Sequence, residues 1–121
     1  MCKVEADQEK QLLVVTFAGH VTFEEAKAFR EELRKCMEYM RPGFSALTDL
    51  SGLESMDVAC EPMICRKMDL YHEKQVDMVV RIIPDPRKDI GFAIMSIFHY
   101  GPKIYVATVE SLEEAMKYLT K

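Results

Sequence analysis

The chain has 121 residues, the size of one domain, with 49% hydrophobic and 30% charged residues and a formal net charge of −4. A chain this long buries roughly two-thirds of its unfolded surface and needs no disulfide or metal staple to fold. The acidic balance, without any run of Lys or Arg, argues against a nucleic-acid partner.

The apolar pattern alternates strand and helix from end to end and predicts a single domain over residues 1–121. Val4 to Ala6 reads as a weak strand, Asp7-Gln8-Glu9-Lys10 as a polar turn, and Gln11 to Phe17 as a stronger strand rich in Leu, Val and Thr, so that the two make a hairpin. Gly19 and His20 are expected to turn the chain. Thr22-Phe23-Glu24-Glu25 has the spacing of a capping box. Ala26, Phe29, Leu33, Cys36, Met37 and Met40 follow at helical spacing, and Pro42-Gly43 ends that helix. A strand is expected from Phe44 to Leu50, then a Ser/Gly turn, then a helix opening near Cys60 or Glu61 with Pro62 in its first turn. Met78 to Ile83 is nearly all apolar, as in a strand covered on both faces. A third helix is expected from about Lys88 to Tyr100. A strand from Ile104 to Thr108 and a helix opened by the capping box Ser111-Leu112-Glu113-Glu114 close the chain. Single helices between strands imply parallel pairing by right-handed crossovers. The expected class is therefore α/β: a mixed sheet of about five strands, mostly parallel, with four helices.

The stretch Thr48-Asp49-Leu50-Ser51-Gly52-Leu53-Glu54-Ser55-Met56-Asp57 carries the most information. It resembles the signature loop of STAS domains, the sulfate-transporter and anti-sigma-factor-antagonist family, which reads roughly Asp-Leu-Ser-Gly-Val and, a few residues on, Met-Asp-Ser-Ser-Gly. The run Lys103 to Ala115, an apolar strand passing through Glu110-Ser111 into Glu113-Glu114-Ala115, is similar to the end of the same domains. In that family a Ser or Thr just after the second Asp accepts phosphate; here Asp57 is followed by Val58, Ala59 and Cys60. The chain most resembles the SpoIIAA-like group, which often lacks the acceptor. The resemblance implies a non-enzymatic, regulatory or scaffolding module that binds a protein partner through the loop and following helix start, at Ser51, Ser55, Asp57, Val58, Ala59 and Cys60, without the usual phosphoserine switch. Ser51 and Ser55 read first as turn chemistry, in which a Ser bonds its own backbone, and second as modifiable hydroxyls.

Other chemistry is thinner. Cys60 reads as a small buried hydrophobe, or alternatively as a thiol activated in the first turn of a helix and used as a redox sensor. Cys2, Cys36, Cys60 and Cys65 contain no Cys-x-x-Cys pair and suit reduced thiols in a cytoplasmic protein. Met1-Cys2-Lys3-Val4-Glu5 lacks the apolar core of a signal peptide, and the longest apolar-rich run, Ile90 to Tyr100, is too short for a membrane span. His20, His72 and His99 form no metal-ligand spacing, and there is no glycine-rich phosphate loop, so no metal or cofactor is expected. Asp57 reads as the cap of the following helix. The expected third helix is apolar nearly all round. Its second face needs cover, either from the domain itself, from a second copy through Phe92, Met95 and Phe98, or from a small apolar ligand or lipid that the chain carries.

Overall fold

The computed structural model describes residues 1–60, 62, 69–83 and 105–119. Five strands, β1 (Cys2–Asp7), β2 (Leu12–Val21), β3 (Ser45–Met56), β4 (Met78–Ile82) and β5 (Tyr105–Val109), form one sheet in sequential order. Helix α1 (Phe23–Met37) joins β2 to β3, a 3-10 turn (Val58–Cys60) follows β3, and α2 (Leu112–Leu119) follows β5. Residues 62 and 69–73 are also helical.

The expectation of a mostly parallel sheet is corrected to a mixed one. β1 returns through a tight turn, with Gln11 in the left-handed region, and can pair only antiparallel with β2. β2–β3, β3–β4 and β4–β5 are parallel. The four-helix count is corrected as well. Among the described residues three helical elements are bounded at both ends, namely α1, the 3-10 turn and α2. The chain enters its second helical region through a single 3-10 turn, because Cys60 N–H closes back on the Asp57 carbonyl. The expected third helix, with Phe92, Met95, Phe98 and His99, lies outside the described residues, as does Cys65.

Alternation along the strands builds two cores. Leu13, Val15 and Phe17 of β2, Ala46 and Leu50 of β3 and Val79 of β4 face the side covered by α1 and Tyr71. Leu47, Val80, Ile82, Ala107 and Val109 face the other side, against Ala115 of α2. On α1 the buried residues are Ala26, Phe29, Leu33 and Met37, a single helical stripe. Burying each of the three larger ones contributes about 1.5–3 kcal/mol, and Phe29 meets Phe17 edge to face at 5.3 Å. α1 ends at Met37 rather than Met40.

Thr22 caps α1 as expected, accepting from Glu25 N–H at 3.1 Å. The reciprocal half of the box is absent, since the Glu25 carboxylate is taken by the Met1 ammonium at 2.9 Å. Ser111 caps α2, accepting from Glu114 N–H at 3.2 Å.

Candidate functional site

The site follows from where β2 and β3 end. Both strands run on past the expected turns at Gly19-His20 and Ser51-Gly52 and pair from Leu12–Ser45 to Val21–Met56. Two register shifts allow this. Between the pairs Thr16–Asp49 and Ala18–Gly52, and again between Gly19–Leu53 and His20–Ser55, β3 advances one residue more than β2. The turn-like residues are thus absorbed as bulges inside a strand. Gly19, with a φ of +64°, adopts a conformation suited to glycine. A Cβ on Gly52 would stand 3.3 Å from the Ala18 Cβ, so the two strands approach closely at this point.

Beyond that approach three polar side chains converge at the carboxyl ends of the two parallel strands, where α/β sheets place their sites. His20 Nδ1 lies 2.6 Å from Ser55 Oγ, and His20 Nε2 lies 3.0 Å from Asp57 Oδ1. The other carboxylate oxygen, Oδ2, accepts from Phe23 N–H at 3.0 Å. Asp57 therefore caps α1 across the sheet rather than the helix that follows it, which corrects the expectation. That backbone bond, with the His20 bond and charge behind it, holds the Asp57 carboxyl below its ordinary value. The cluster is open, with His20 49% and Asp57 42% exposed at the side chain.

The other expected site residues divide. Ser51 stands apart from the cluster. Its N–H and hydroxyl both donate to Asp49 Oδ1, at 3.0 and 2.6 Å, so within β3 the hydroxyl bonds a neighbouring carboxylate rather than its own backbone. Val58 is 86% exposed, and Ala59 is exposed beside it. Cys60 is fully buried, and its thiol points to the Val21 carbonyl at 3.8 Å. Burial pushes that thiol up, and the Asp57 charge adds to the effect, which opposes the activated thiol of the redox reading. His20, read from sequence as a turn residue, is the member that reading missed; the left-handed Gly19 beside it is the local signal. Among the described residues no cluster of His, Cys, Asp and Glu has the arrangement of a metal site, and no helix is long and apolar enough to cross a membrane. The residues proposed for an apolar ligand or a dimer contact, Phe92, Met95 and Phe98, are outside the described set.

The sequence profile of the STAS domain matches residues 3–115. The chain belongs to the STAS-domain family. Its fold is similar to that of the anti-sigma-factor antagonist SpoIIAA in its unphosphorylated form, with a TM-score of 0.71 and 13% identity over 99% of this chain and 98% of that one. It is also similar to an uncharacterized protein with a SpoIIAA-like fold from Shewanella loihica, with a TM-score of 0.68 and 19% identity over 98% and 92%. An anti-sigma-factor antagonist from Mycobacterium paratuberculosis matches with a TM-score of 0.62 and 16% identity over 100% and 94%. Among curated proteins none matches the chain. At these identities the structural likenesses establish the STAS fold alone.

Proposed function

We propose that this STAS domain is a non-enzymatic regulatory or scaffolding module that docks a protein partner on the end of the sheet carrying Ser51 to Cys60. The observation that carries this reading is Val58. A branched apolar side chain 86% exposed does no work for the core, and it stands on the turn that follows the longest strand, at the end of the stretch that resembles the STAS signature loop. Ala59 extends the exposed surface, while Asp57 ties the base of the turn to α1. A rigid scaffold under a small apolar tip suits a contact whose energy comes from burying that tip.

The fold likeness to anti-sigma-factor antagonists supports a partner of the kind such proteins engage. SpoIIAA has both a phosphorylated and an unphosphorylated form. In this chain Val58 and Ala59 follow Asp57, so the docking surface is built without a hydroxyl at the two positions where a phosphate would add about two negative charges. Docking is then constitutive with respect to that modification. A cytoplasmic setting suits a chain without a Cys-x-x-Cys pair, and self-association through residues 88–100 is a second mode of contact that the apolar sequence there supports.

The test is phosphopeptide mapping after incubation with a serine kinase that modifies an anti-sigma-factor antagonist. No phosphate is expected on residues 55–60 of the native chain, and Val58→Ser or Ala59→Ser should introduce an acceptor. Efficient phosphorylation of Ser55 in the native chain would show that the switch is retained at a shifted position and would overturn the constitutive reading.

A further inference from the structure

The three side chains at the ends of β2 and β3 have more order than docking requires. An ionised carboxylate can only accept hydrogen bonds, and Asp57 is held in its ionised form by Phe23 N–H and His20. His20 Nε2, 3.0 Å from Asp57 Oδ1, must therefore carry a proton. In the neutral imidazole Nδ1 then holds the lone pair, and the only bond available at 2.6 Å is one in which the Ser55 hydroxyl donates to it. The carboxylate fixes the tautomer, the tautomer fixes the base, and the base polarises the serine. This is the nucleophile–base–orienter relation of acyl-transfer sites, assembled here from two neighbouring strands.

We propose that Ser55 is a base-activated acceptor that takes an acyl group from an activated ester, with His20 as the base and Asp57 as the residue that orients it. In the step, Ser55 Oγ forms a bond to the acyl carbon and the bond from that carbon to the leaving oxygen breaks. The serine proton passes to His20 Nδ1 and from there to the leaving oxygen. The products are an O-acyl Ser55 and an alcohol, and nothing is oxidised or reduced.

Two features of the site select this chemistry. The cluster is open to solvent, so the donor needs no enclosed pocket to reach Ser55. An acidic group stands close by, the Asp57 carboxylate on the far side of the same imidazole ring. A phosphate dianion on Ser55 would meet like charge there, whereas an acyl group adds none. The proposal goes beyond the docking reading and does not depend on it, since Val58 takes no part in the step.

The experiment uses the whole chain and p-nitrophenyl acetate, following nitrophenolate release, intact mass and the position of the acetyl group by peptide mapping. One acetyl group on Ser55 is expected, formed roughly tenfold or more faster in the native protein than in the same protein unfolded in urea. Ser55→Ala should abolish that adduct. His20→Gln, which keeps the side chain polar and of similar size, should slow it roughly tenfold or more. The proposal is overturned if acetyl groups fall on lysines while Ser55 stays unmodified, if native and unfolded protein acylate Ser55 at equal rates, or if folded His20→Gln reacts like the native chain. The native-against-unfolded comparison decides the matter even should a variant fail to fold.

Discussion

The hydrogen bond between His20 and Ser55 can be isolated by a double-mutant cycle. Single substitutions His20→Ala and Ser55→Ala each remove the 2.6 Å contact, and the double substitution removes it once. The bond from His20 to Asp57 is lost in both arms that lack His20 and so cancels from the coupling. A net hydrogen bond contributes about 0.5–1.5 kcal/mol, and this one, between a half-exposed imidazole and a partly exposed hydroxyl, belongs in the lower part of that range. The expected coupling is therefore about 0.5–1 kcal/mol, with His20→Ala the more costly single change. The chain has no tryptophan, so urea unfolding is best followed by circular dichroism, with equal m-values across the four proteins as the check that only stability has changed. A cycle that closes to zero within error would contradict a stabilising bond between His20 and Ser55.

Three further outcomes are expected. Asp57 is held below its ordinary value of 3.8, so its contribution to stability is complete above about that pH and is lost as pH falls through the depressed value; urea midpoints measured down to about pH 2 should drop less steeply for Asp57→Asn than for the native chain, and parallel curves would refute this. Burial raises the thiol of Cys2 to about 11 and pushes Cys60 up as well, so at neutral pH both should alkylate more slowly than a free thiol until the chain unfolds; rapid labelling of Cys60 in the folded protein would restore the redox reading. Sedimentation over a wide concentration range should show a dimer that Phe92→Glu, Met95→Glu or Phe98→Glu dissolves into a folded monomer for whichever side chain faces outward; a native chain that stays monomeric at every concentration would remove self-association from the account.

The strands were legible wherever burial alternates or is complete, as in Leu13, Val15 and Phe17 or Val79 to Ile82, because period-two patterning reflects a local geometry. The caps at Thr22 and Ser111 were legible for the same reason, since each needs only a partner three residues on. The site was legible in part. Ser55, Asp57 and Val58 stand out in the Ser/Gly stretch, but Ser51-Gly52 and Gly19-His20 have the composition of turns. Long-range pairing overrode them, because two bulges let β3 keep its bonds to β2 through residues that favour turns locally. His20 lies 35 residues from Ser55 and 37 from Asp57, and no spacing within either segment announces the contact. The role of Asp57 is hidden on the same ground. A helix start three or four residues downstream is visible in sequence, whereas the α1 amide it caps is brought to it only by the sheet.

Docking at the exposed end of the sheet is tested most directly by site-specific photocrosslinking in the native cell. A photoreactive residue in place of Val58, 86% exposed and outside the core, should give a discrete adduct with one protein. The same residue in place of Glu31, exposed on the outer face of α1, should give none. Competition by unlabelled native chain should remove the Val58 adduct. A protein that crosslinks equally well from both positions, or from Glu31 alone, would contradict the claim that this end of the domain is its docking surface.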